Sequence, residues 1–138
     1  MTLVFVYGSL KQGFPNAHVN SGERMPGVFR TNQRLPMYLL GDGQVPCLVL
    51  APGAGHQVLG ELYRVDAEGL AAMDRLERLG EADGYLRHAV EVEEVGPASP
   101  VAVSAFAYMK LPGQLPAQAP RVGPFVEYSI EQSKHLWW

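Results

Sequence analysis

Helical periodicity is clearest in the segment Asp66-Ala-Glu-Gly-Leu-Ala-Ala-Met-Asp-Arg-Leu-Glu-Arg-Leu-Gly80. Asp66 is suited to cap the first turn, because its carboxylate can accept a hydrogen bond from a free backbone N–H group. Gly80 can adopt the left-handed conformation that commonly ends a helix. The segment therefore predicts one short helix.

A carboxylate lies on the apolar face of this predicted helix. At about 100° per residue, Glu77 points in the same direction as Leu70 and Met73, toward the protein interior. Burial of an unpaired carboxylate is costly, so Glu77 should be hydrogen-bonded, protonated or in contact with a water-filled cleft. The position alone fits both a structural carboxylate, satisfied by an arginine or by backbone N–H groups, and a functional one.

The remaining sequence predicts short strands bounded by glycine or proline. They are Thr2–Tyr7, Gly27–Thr31, Met37–Leu40, Cys47–Leu50, Val58–Val65, Tyr85–Val95 and Val101–Met109. Many short strands around one helix favour an α+β domain with a small mixed curled sheet or a β-barrel. Regular βαβ alternation is missing, which argues against a doubly wound fold.

The C-terminal part has its own composition. We interpret residues 1–138 as a single domain in which residues 111–138 form a Pro-rich C-terminal extension. Leu111–Pro124 predicts a surface loop, and Pro124 suits the first position of a last helical turn. We expect Trp137 and Trp138 to pack on the body of the protein or on a neighbouring subunit.

Composition limits the possible partners and location. The net charge is −3 and the 11 Lys and Arg residues are scattered, so neither nucleic acid nor an anionic membrane is an expected partner. The single cysteine, Cys47, allows no internal disulfide and suits a reducing compartment. No signal peptide or long apolar run is present, so we expect a cytoplasmic protein.

Metal and cofactor chemistry is not indicated. The four histidines, His18, His56, His88 and His135, lack any metal-ligand spacing. We therefore expect no metal site and no cofactor.

A glycine-containing loop follows the first predicted strand, in Tyr7-Gly-Ser-Leu-Lys-Gln-Gly13. Glycine there permits a sharp turn and close approach to a ligand, leaving the N–H groups of residues 8–10 free to converge on an anion. The spacing does not match a P-loop, a dinucleotide fingerprint or a G-x-S-x-G elbow. We expect the neighbouring Lys11 to be solvated.

Motifs along most of the chain resemble the γ-glutamylcyclotransferase superfamily, and within it the γ-glutamylamine cyclotransferase and AIG2-like proteins. These are Leu3-Val-Phe-Val-Tyr-Gly-Ser-Leu-Lys-Gln-Gly-Phe-Pro-Asn16, Val45-Pro-Cys-Leu48, Pro52-Gly-Ala-Gly-His56, Gly60-Glu-Leu-Tyr63, Met73-Asp-Arg-Leu-Glu77 and Gly84-Tyr-Leu-Arg87. The resemblance ends near Lys110, and the Pro-rich tail has no clear family counterpart.

The resemblance implies an activity. It implies a cofactor-free cyclotransferase that converts γ-glutamyl amines or γ-glutamyl amino acids into 5-oxoproline and releases the amine. Glu77 falls on the family's catalytic glutamate and would act as general acid and base. The family's substrate-binding loop falls on Tyr7, Gly8, Ser9 and Leu10.

Further residues and other functions stay open at this stage. Tyr85 and Tyr108 could line the same cleft, although sheet packing would equally explain both. One alternative is a hydrolase or acyltransferase with Ser9 as nucleophile, for which the sequence near Ser9 offers no evident base. Another is a non-catalytic module that binds 5-oxoproline or γ-glutamyl groups. The sequence points to no particular leaving amine and to no oligomeric state.

Overall fold

The computed structural model of the protein describes residues 1–115 and 120–136. Trp137 and Trp138, for which we predicted packing contacts, lie outside this range. The described residues form nine strands, two α-helices and two short 3₁₀ turns (Ala17–Val19 and Pro112–Gln114). The strands and helices are β1 (Thr2–Val6), β2 (Glu23–Arg24), β3 (Phe29–Thr31), β4 (Met37–Leu40), β5 (Val45–Val49), β6 (Leu59–Val65), α1 (Ala67–Leu76), β7 (Leu86–Glu94), β8 (Val103–Lys110), β9 (Arg121–Val122) and α2 (Ile130–Ser133).

Five of the strands close into a small barrel. Antiparallel pairs connect β1, β6, β3, β7 and β8 in that order. A parallel pairing of β1 with β8, at Val4 and Phe106, closes the ring. Beyond the barrel, β8 continues through a parallel pair with β5 to β4 and β9, and β2 pairs with β6. This confirms the predicted α+β fold with a mixed, barrel-like sheet and one main helix.

Strand β1 separates two hydrophobic clusters. Its alternating side chains place Phe5 in one cluster, and Val4 and Val6 in the other. The second cluster includes Met73 of α1, so the helix packs on one face of the sheet. The end of β1 therefore lies close to the C-terminal part of α1. Among the described residues no helix is both long and apolar enough to cross a membrane.

Helix α1 begins as predicted but ends earlier. The Asp66 side chain accepts a hydrogen bond from the Gly69 amide at 2.7 Å, whereas the last helical residue is Leu76 and Glu77 is the C-cap. Arg78, not Gly80, takes the first left-handed conformation, with φ 54°. The predicted end at Gly80 was wrong because a distant contact intervenes: the Glu77 carbonyl accepts from the Tyr85 amide at 3.0 Å.

Most strand boundaries differ from the predicted ones by one or two residues. Strand β8 begins at Val103, so Val101, the first residue of the predicted strand, lies outside it and is 78% exposed. Strand β5 begins at Val45, two residues before the predicted start at Cys47.

The C-terminal segment differs from its prediction in two respects. The predicted surface loop contains β9, which pairs with β4. Helix α2 begins at Ile130, with Ser129 as its N-cap, so the predicted helix start at Pro124 was wrong. The Ser129 side chain accepts from the Gln132 amide and supplies the cap that Pro124 cannot.

Lys11 is buried, contrary to our expectation. The residue is 6% exposed, and Nζ donates a hydrogen bond of 2.6 Å to the carbonyl oxygen of Tyr128. The ammonium also lies 4.3 Å from the centre of the Phe14 ring. The burial of Lys11 could not be predicted from its neighbours in the chain, because the carbonyl that accepts its hydrogen bond belongs to the distant Tyr128.

We expect Gly60→Ala to lower the free energy of unfolding by about 3 kcal/mol, because a Cβ overfills the β1–β6 contact. That Cβ would lie 2.5 Å from the carbonyl oxygen of Val6 and 2.6 Å from the Phe5 ring. The measurement is equilibrium denaturation in urea. The matched control is Gly113→Ala, where an added Cβ meets nothing within 4 Å. Equal stabilities of the two variants would contradict this account.

Candidate active site

Glu77 is a buried carboxylate without a partner. Its residue is 8% exposed. No residue within 1–115 or 120–136 donates a hydrogen bond to its carboxylate or forms an ion pair with it. The structural alternative raised by the sequence, in which an arginine or a backbone N–H satisfies this carboxylate, is therefore not what the described residues show.

Burial sets the acidity of this group. It raises the pKa of Glu77 from 4.5 to about 8, and the positive charge of Lys110 opposes the increase. The position at the C-terminal end of α1 gives no compensation, because that end of a helix carries partial negative charge. Glu77 can therefore exchange a proton close to neutral pH, as a general acid or base requires.

Glu77 and the loop after β1 line one small cavity of about 20 Å³. A cavity of this size holds roughly one water molecule. Its lining consists of Phe5, Val6, Tyr7, Gly8, Ser9, Leu10, Pro46, Glu77 and Tyr108. The structure thus brings together six of the seven residues that the sequence selected as site candidates, and Tyr85 lies in an adjoining groove.

The loop after β1 has bonded carbonyls and free amides. The carbonyl oxygens of residues 8, 9 and 10 accept, respectively, from the backbone N–H of Lys11, the backbone N–H of Asn16 and the side chain of Asn20. The N–H groups of residues 8–10 donate to no acceptor in the described part of the chain. Consecutive unpaired N–H groups can bind an anion. The bonded carbonyl groups therefore hold the loop in place, and its N–H groups remain available to a ligand in the cavity.

Gly8 is needed for a contact that the sequence analysis missed. A Cβ on Gly8 would lie 2.9 Å from Cγ of Pro46, so only glycine lets the loop pack against β5 at this distance. Pro46 also lines the cavity. The sign of this contact in the sequence was the position of Pro46 in the Val45-Pro-Cys-Leu48 motif, directly before Cys47.

The hydroxyl groups of Tyr7, Tyr85 and Tyr108 each donate a hydrogen bond that connects neighbouring parts of the fold. Tyr7 donates to the Tyr108 carbonyl at 2.6 Å, Tyr85 donates to the Pro46 carbonyl at 2.6 Å, and Tyr108 donates to Oδ1 of Asp74 at 2.6 Å. Burial raises the pKa of each hydroxyl well above its usual value. Their rings form walls of the site, while their hydroxyls hold strands and helix together.

Asp74 fixes the end of α1 to the sheet. Besides accepting from Tyr108, its carboxylate forms an ion pair with Arg87 of β7 at 2.9 Å. Asp74 lies one turn before Glu77, so these bonds determine where the Glu77 side chain enters the cavity. Arg87 therefore acts through Asp74 and does not line the cavity.

A larger groove adjoins the cavity at Glu77. It has a volume of about 530 Å³ and mostly apolar walls. Its lining consists of Leu40, Gly41, Val45, Leu76, Glu77, Arg78, Asp83, Tyr85 and Lys110. Lys110 was not selected from the sequence, since a lysine at a strand end is usually a solvated residue.

In the described residues, Ser9 has no base among its hydrogen-bond partners, and no metal-binding group is present. Ser9 Oγ accepts a hydrogen bond from the Asn16 amide nitrogen at 2.9 Å. No histidine in the described ranges bonds to it. Residues 1–115 and 120–136 contain no group of three or more His, Cys, Asp and Glu side chains that could hold a metal ion.

Comparison with known proteins gives a family match over most of the chain. A family model described as "Gamma-glutamyl cyclotransferase, AIG2-like" matches residues 4–127. The matched region extends beyond Lys110, near which the resemblance of the sequence motifs ended. The gamma-glutamylaminecyclotransferase of Homo sapiens is 34% identical over 125 residues, which cover 80% of this chain and 79% of the human protein.

Other relatives and a solved structure agree with this match. An Arabidopsis thaliana protein with a provisional assignment as a gamma-glutamylcyclotransferase is 40% identical over 98 residues, covering 66% of this chain. The aligned region spans about half (51%) of that protein and 60% of gamma-glutamylaminecyclotransferase B of Danio rerio. The crystal structure of an AIG2-like protein from Mus musculus superimposes with a TM-score of 0.77 at 30% identity, covering 94% of this chain and 88% of the mouse chain.

The raised pKa of Glu77 predicts a pH-dependent stability. The folded protein retains a proton that the unfolded chain releases between about pH 4.5 and pH 8, so stability is lost as pH rises through this range. In Glu77→Gln the side chain does not titrate, so this pH-dependent loss of stability is absent. We expect this variant to match the wild type near pH 5 and to exceed it at pH 9 by on the order of 3–5 kcal/mol. Denaturant unfolding measures the difference.

The control for this experiment is Glu81→Gln. Glu81 is an exposed glutamate four residues further along the chain. It should follow the wild-type pH dependence. A stability difference between Glu77→Gln and the wild type that stays constant from pH 5 to pH 9 would contradict the buried, proton-binding carboxylate.

Proposed function

The chain belongs to the gamma-glutamyl cyclotransferase, AIG2-like family, and from this premise we propose that it converts γ-glutamyl amines or γ-glutamyl amino acids into 5-oxoproline with release of the amine. The observation that carries the proposal is the shared cavity, in which a carboxylate and the N–H groups of residues 8–10 lie together without partners among the described residues. The relatives named gamma-glutamylaminecyclotransferase support it.

The reaction begins with proton transfer to Glu77. The α-ammonium group of the substrate gives a proton to the Glu77 carboxylate and becomes a nucleophilic amine. Its nitrogen attacks the γ-carbonyl carbon, a C–N bond forms, and the carbonyl π electrons move to oxygen. When this oxyanion collapses, the bond from the γ-carbon to the leaving nitrogen breaks. The proton held by Glu77 passes to that nitrogen. The regenerated carboxylate then takes the second proton from the ring nitrogen and passes it to the released amine, which leaves as an ammonium ion.

The loop amides supply the complementary charge. The N–H groups of Gly8, Ser9 and Leu10 are suited to hold the substrate α-carboxylate and the oxyanion, because donors fixed in advance need no reorganisation when charge develops. The loop carbonyls are already bonded, so the N–H groups keep their orientation. Holding the folded glutamyl chain against Glu77 also converts free rotations into a near-attack geometry.

We assign the two hollows to the two halves of the substrate. The small cavity beside the loop, which holds about one water molecule, would have to widen to receive the polar groups of the glutamyl half. The larger groove would receive the leaving group, because both hollows share Glu77, which must reach the leaving nitrogen. In this arrangement the tyrosine rings enclose the glutamyl chain.

The two alternatives have weaker support. For Ser9 as nucleophile, the hydroxyl has an amide donor from Asn16 and no base bonded to it in the described residues. An amide cannot remove its proton. A non-catalytic binding module would have no use for a carboxylate whose ionised form is costly to bury. The buried single cysteine, Cys47, suits a cytoplasmic location, which we propose on that basis.

Loss of the base should abolish turnover without abolishing binding. We expect Glu77→Gln to reduce the rate of 5-oxoproline release by roughly 10²–10⁴-fold, because the amide cannot accept the proton. Its affinity for 5-oxoproline, measured by titration calorimetry, should stay close to that of the wild type. Glu81→Gln is the control for rate. Wild-type rates in Glu77→Gln would show that another group is the base.

Ser9→Ala separates the two catalytic hypotheses. Only the backbone N–H of Ser9 is used in the cyclotransferase mechanism, so the variant should keep activity within about tenfold of the wild type, the effect of one neutral hydrogen bond. Activity as low as that of Glu77→Gln, together with an acyl-enzyme detected by mass spectrometry in the wild type, would favour the nucleophilic serine.

The rate should depend on pH through Glu77. Its carboxylate form is required, and its pKa is about 8. We expect kcat/KM to rise by roughly tenfold per pH unit between pH 6 and 7, and to level off above about pH 8. A flat profile between pH 6 and pH 8 would exclude Glu77 as the titrating base.

A further inference from the structure

We propose that Lys110 is a positioning residue for this reaction: its ammonium group, fixed at the wall of the groove, stabilises the carboxylate form of Glu77. This inference rests on the proposed function. Lys110 is the last residue of β8 and lines the same groove as Glu77.

The position of the ammonium is fixed by two contacts. Nζ donates a hydrogen bond of 3.1 Å to the carbonyl oxygen of Asp83 and lies 5.0 Å from the centre of the Tyr85 ring. Asp83 and Tyr85 belong to the turn that follows α1. Lys110 thus connects the end of β8 to the turn that follows Glu77, and these two contacts hold its ammonium beside Tyr85 at the groove.

The charge of Lys110 is not neutralised in the described part of the chain. Its hydrogen-bond partner is a carbonyl, and no carboxylate there lies within ion-pair distance. The nearby Asp83 carboxylate pairs instead with Nε of Arg78 at 3.0 Å. Lys110 also interacts electrostatically with the exposed Asp83 carboxylate. That carboxylate is paired with Arg78, so the Lys110 charge remains available to Glu77 across the groove that both residues line.

The other titratable groups around Glu77 do not supply this stabilisation. Tyr7, Cys47, Tyr85 and Tyr108 each interact with its charge. All four are buried and neutral near pH 8, because burial raises the pKa of each. On α1, Asp74 is anionic and paired with Arg87. Arg78, also at the groove, is paired with Asp83 and 59% exposed in its side chain. Lys110 is the cation that opposes the effect of burial on Glu77.

The consequence concerns the resting state of the base. Attack requires Glu77 as a carboxylate, and burial alone favours the protonated form. Without the Lys110 charge, a smaller fraction of the enzyme would hold the carboxylate at neutral pH. The effect of removing Lys110 should therefore be large at low pH and small at high pH, where Glu77 ionises in any case.

The test compares Lys110→Met, Lys110→Gln and Lys110→Arg. Lys134→Met, at an exposed lysine paired with Glu131, is the matched control. The substrate is a γ-glutamyl compound with an uncharged alkyl leaving amine, so that Lys110 has no charged group of the substrate to bind. We expect the acid limb of the kcat/KM profile to move to higher pH in the Met and Gln variants. Their loss of activity should be several-fold larger at pH 7 than at about pH 9.5, and the Arg variant and the control should keep the wild-type limb.

A second measurement does not depend on activity. Carboxyl-carbon NMR of the resting enzyme, with Glu77→Gln to assign the signal, should show Glu77 titrating at higher pH in Lys110→Met than in the wild type. An equal fractional loss of activity at every pH, or an unchanged Glu77 titration, would overturn the inference and would indicate a role for Lys110 in binding alone. If the wild type releases no 5-oxoproline, the proposed function fails, whereas the NMR titration still decides the role of Lys110.

Discussion

The site depends on one constraint: the Glu77 carboxylate is buried and has no hydrogen-bond or ion-pair partner in the described residues. A buried Glu77 that lacks a hydrogen-bond partner raises the free energy of the folded state whenever it ionises, so the rest of the structure must hold α1 in place against that cost. The Asp74 carboxylate does so through Tyr108 and Arg87, and the bond from the Tyr85 amide to the Glu77 carbonyl fixes the backbone itself. A hydrogen-bond donor or an ion-pair partner in direct contact would stabilise the carboxylate and make it a weaker base, so the stability of the fold and the proposed role of Glu77 place opposite requirements on this residue.

The two walls of the cavity carry complementary unsatisfied groups. One wall has free N–H donors at residues 8–10, and the other has an acceptor at Glu77. The α-carboxylate and α-ammonium of a glutamyl group form the matching pair. A ligand of this kind would satisfy both walls at once, whereas a lone anion or a lone cation would satisfy only one. Under the proposed function, the groups that lack a partner among the described residues on the two sides of the cavity would thus recognise the zwitterionic end of a glutamyl substrate.

Local sequence patterns predicted the parts of the fold that depend on neighbours in the chain. The buried run that became β1, the Asp66 cap and the inward direction of Glu77 all follow from alternation or helical periodicity. Features that depend on distant partners were missed or wrong: the helix end, which the Tyr85 amide determines; the burial of Lys11, which needs the Tyr128 carbonyl; and the presence of Lys110 beside Glu77. The roles of the site residues came from the resemblance of motifs, since periodicity shows that a carboxylate points inward but not what it faces.

The burial of Lys11 connects the loop to the far end of the chain. Its own backbone N–H donates to the Gly8 carbonyl, while its side chain donates to the carbonyl of Tyr128 and lies over the Phe14 ring, which in turn packs on the Tyr128 ring at 5.8 Å. Burial lowers the pKa of Lys11, and the charges of Glu127 and Glu61 oppose that effect. A charged ammonium is retained in this position only because the C-terminal segment covers it with an acceptor and an aromatic ring. The C-terminal segment is therefore part of the scaffold that holds this loop, although none of its described residues lines either hollow.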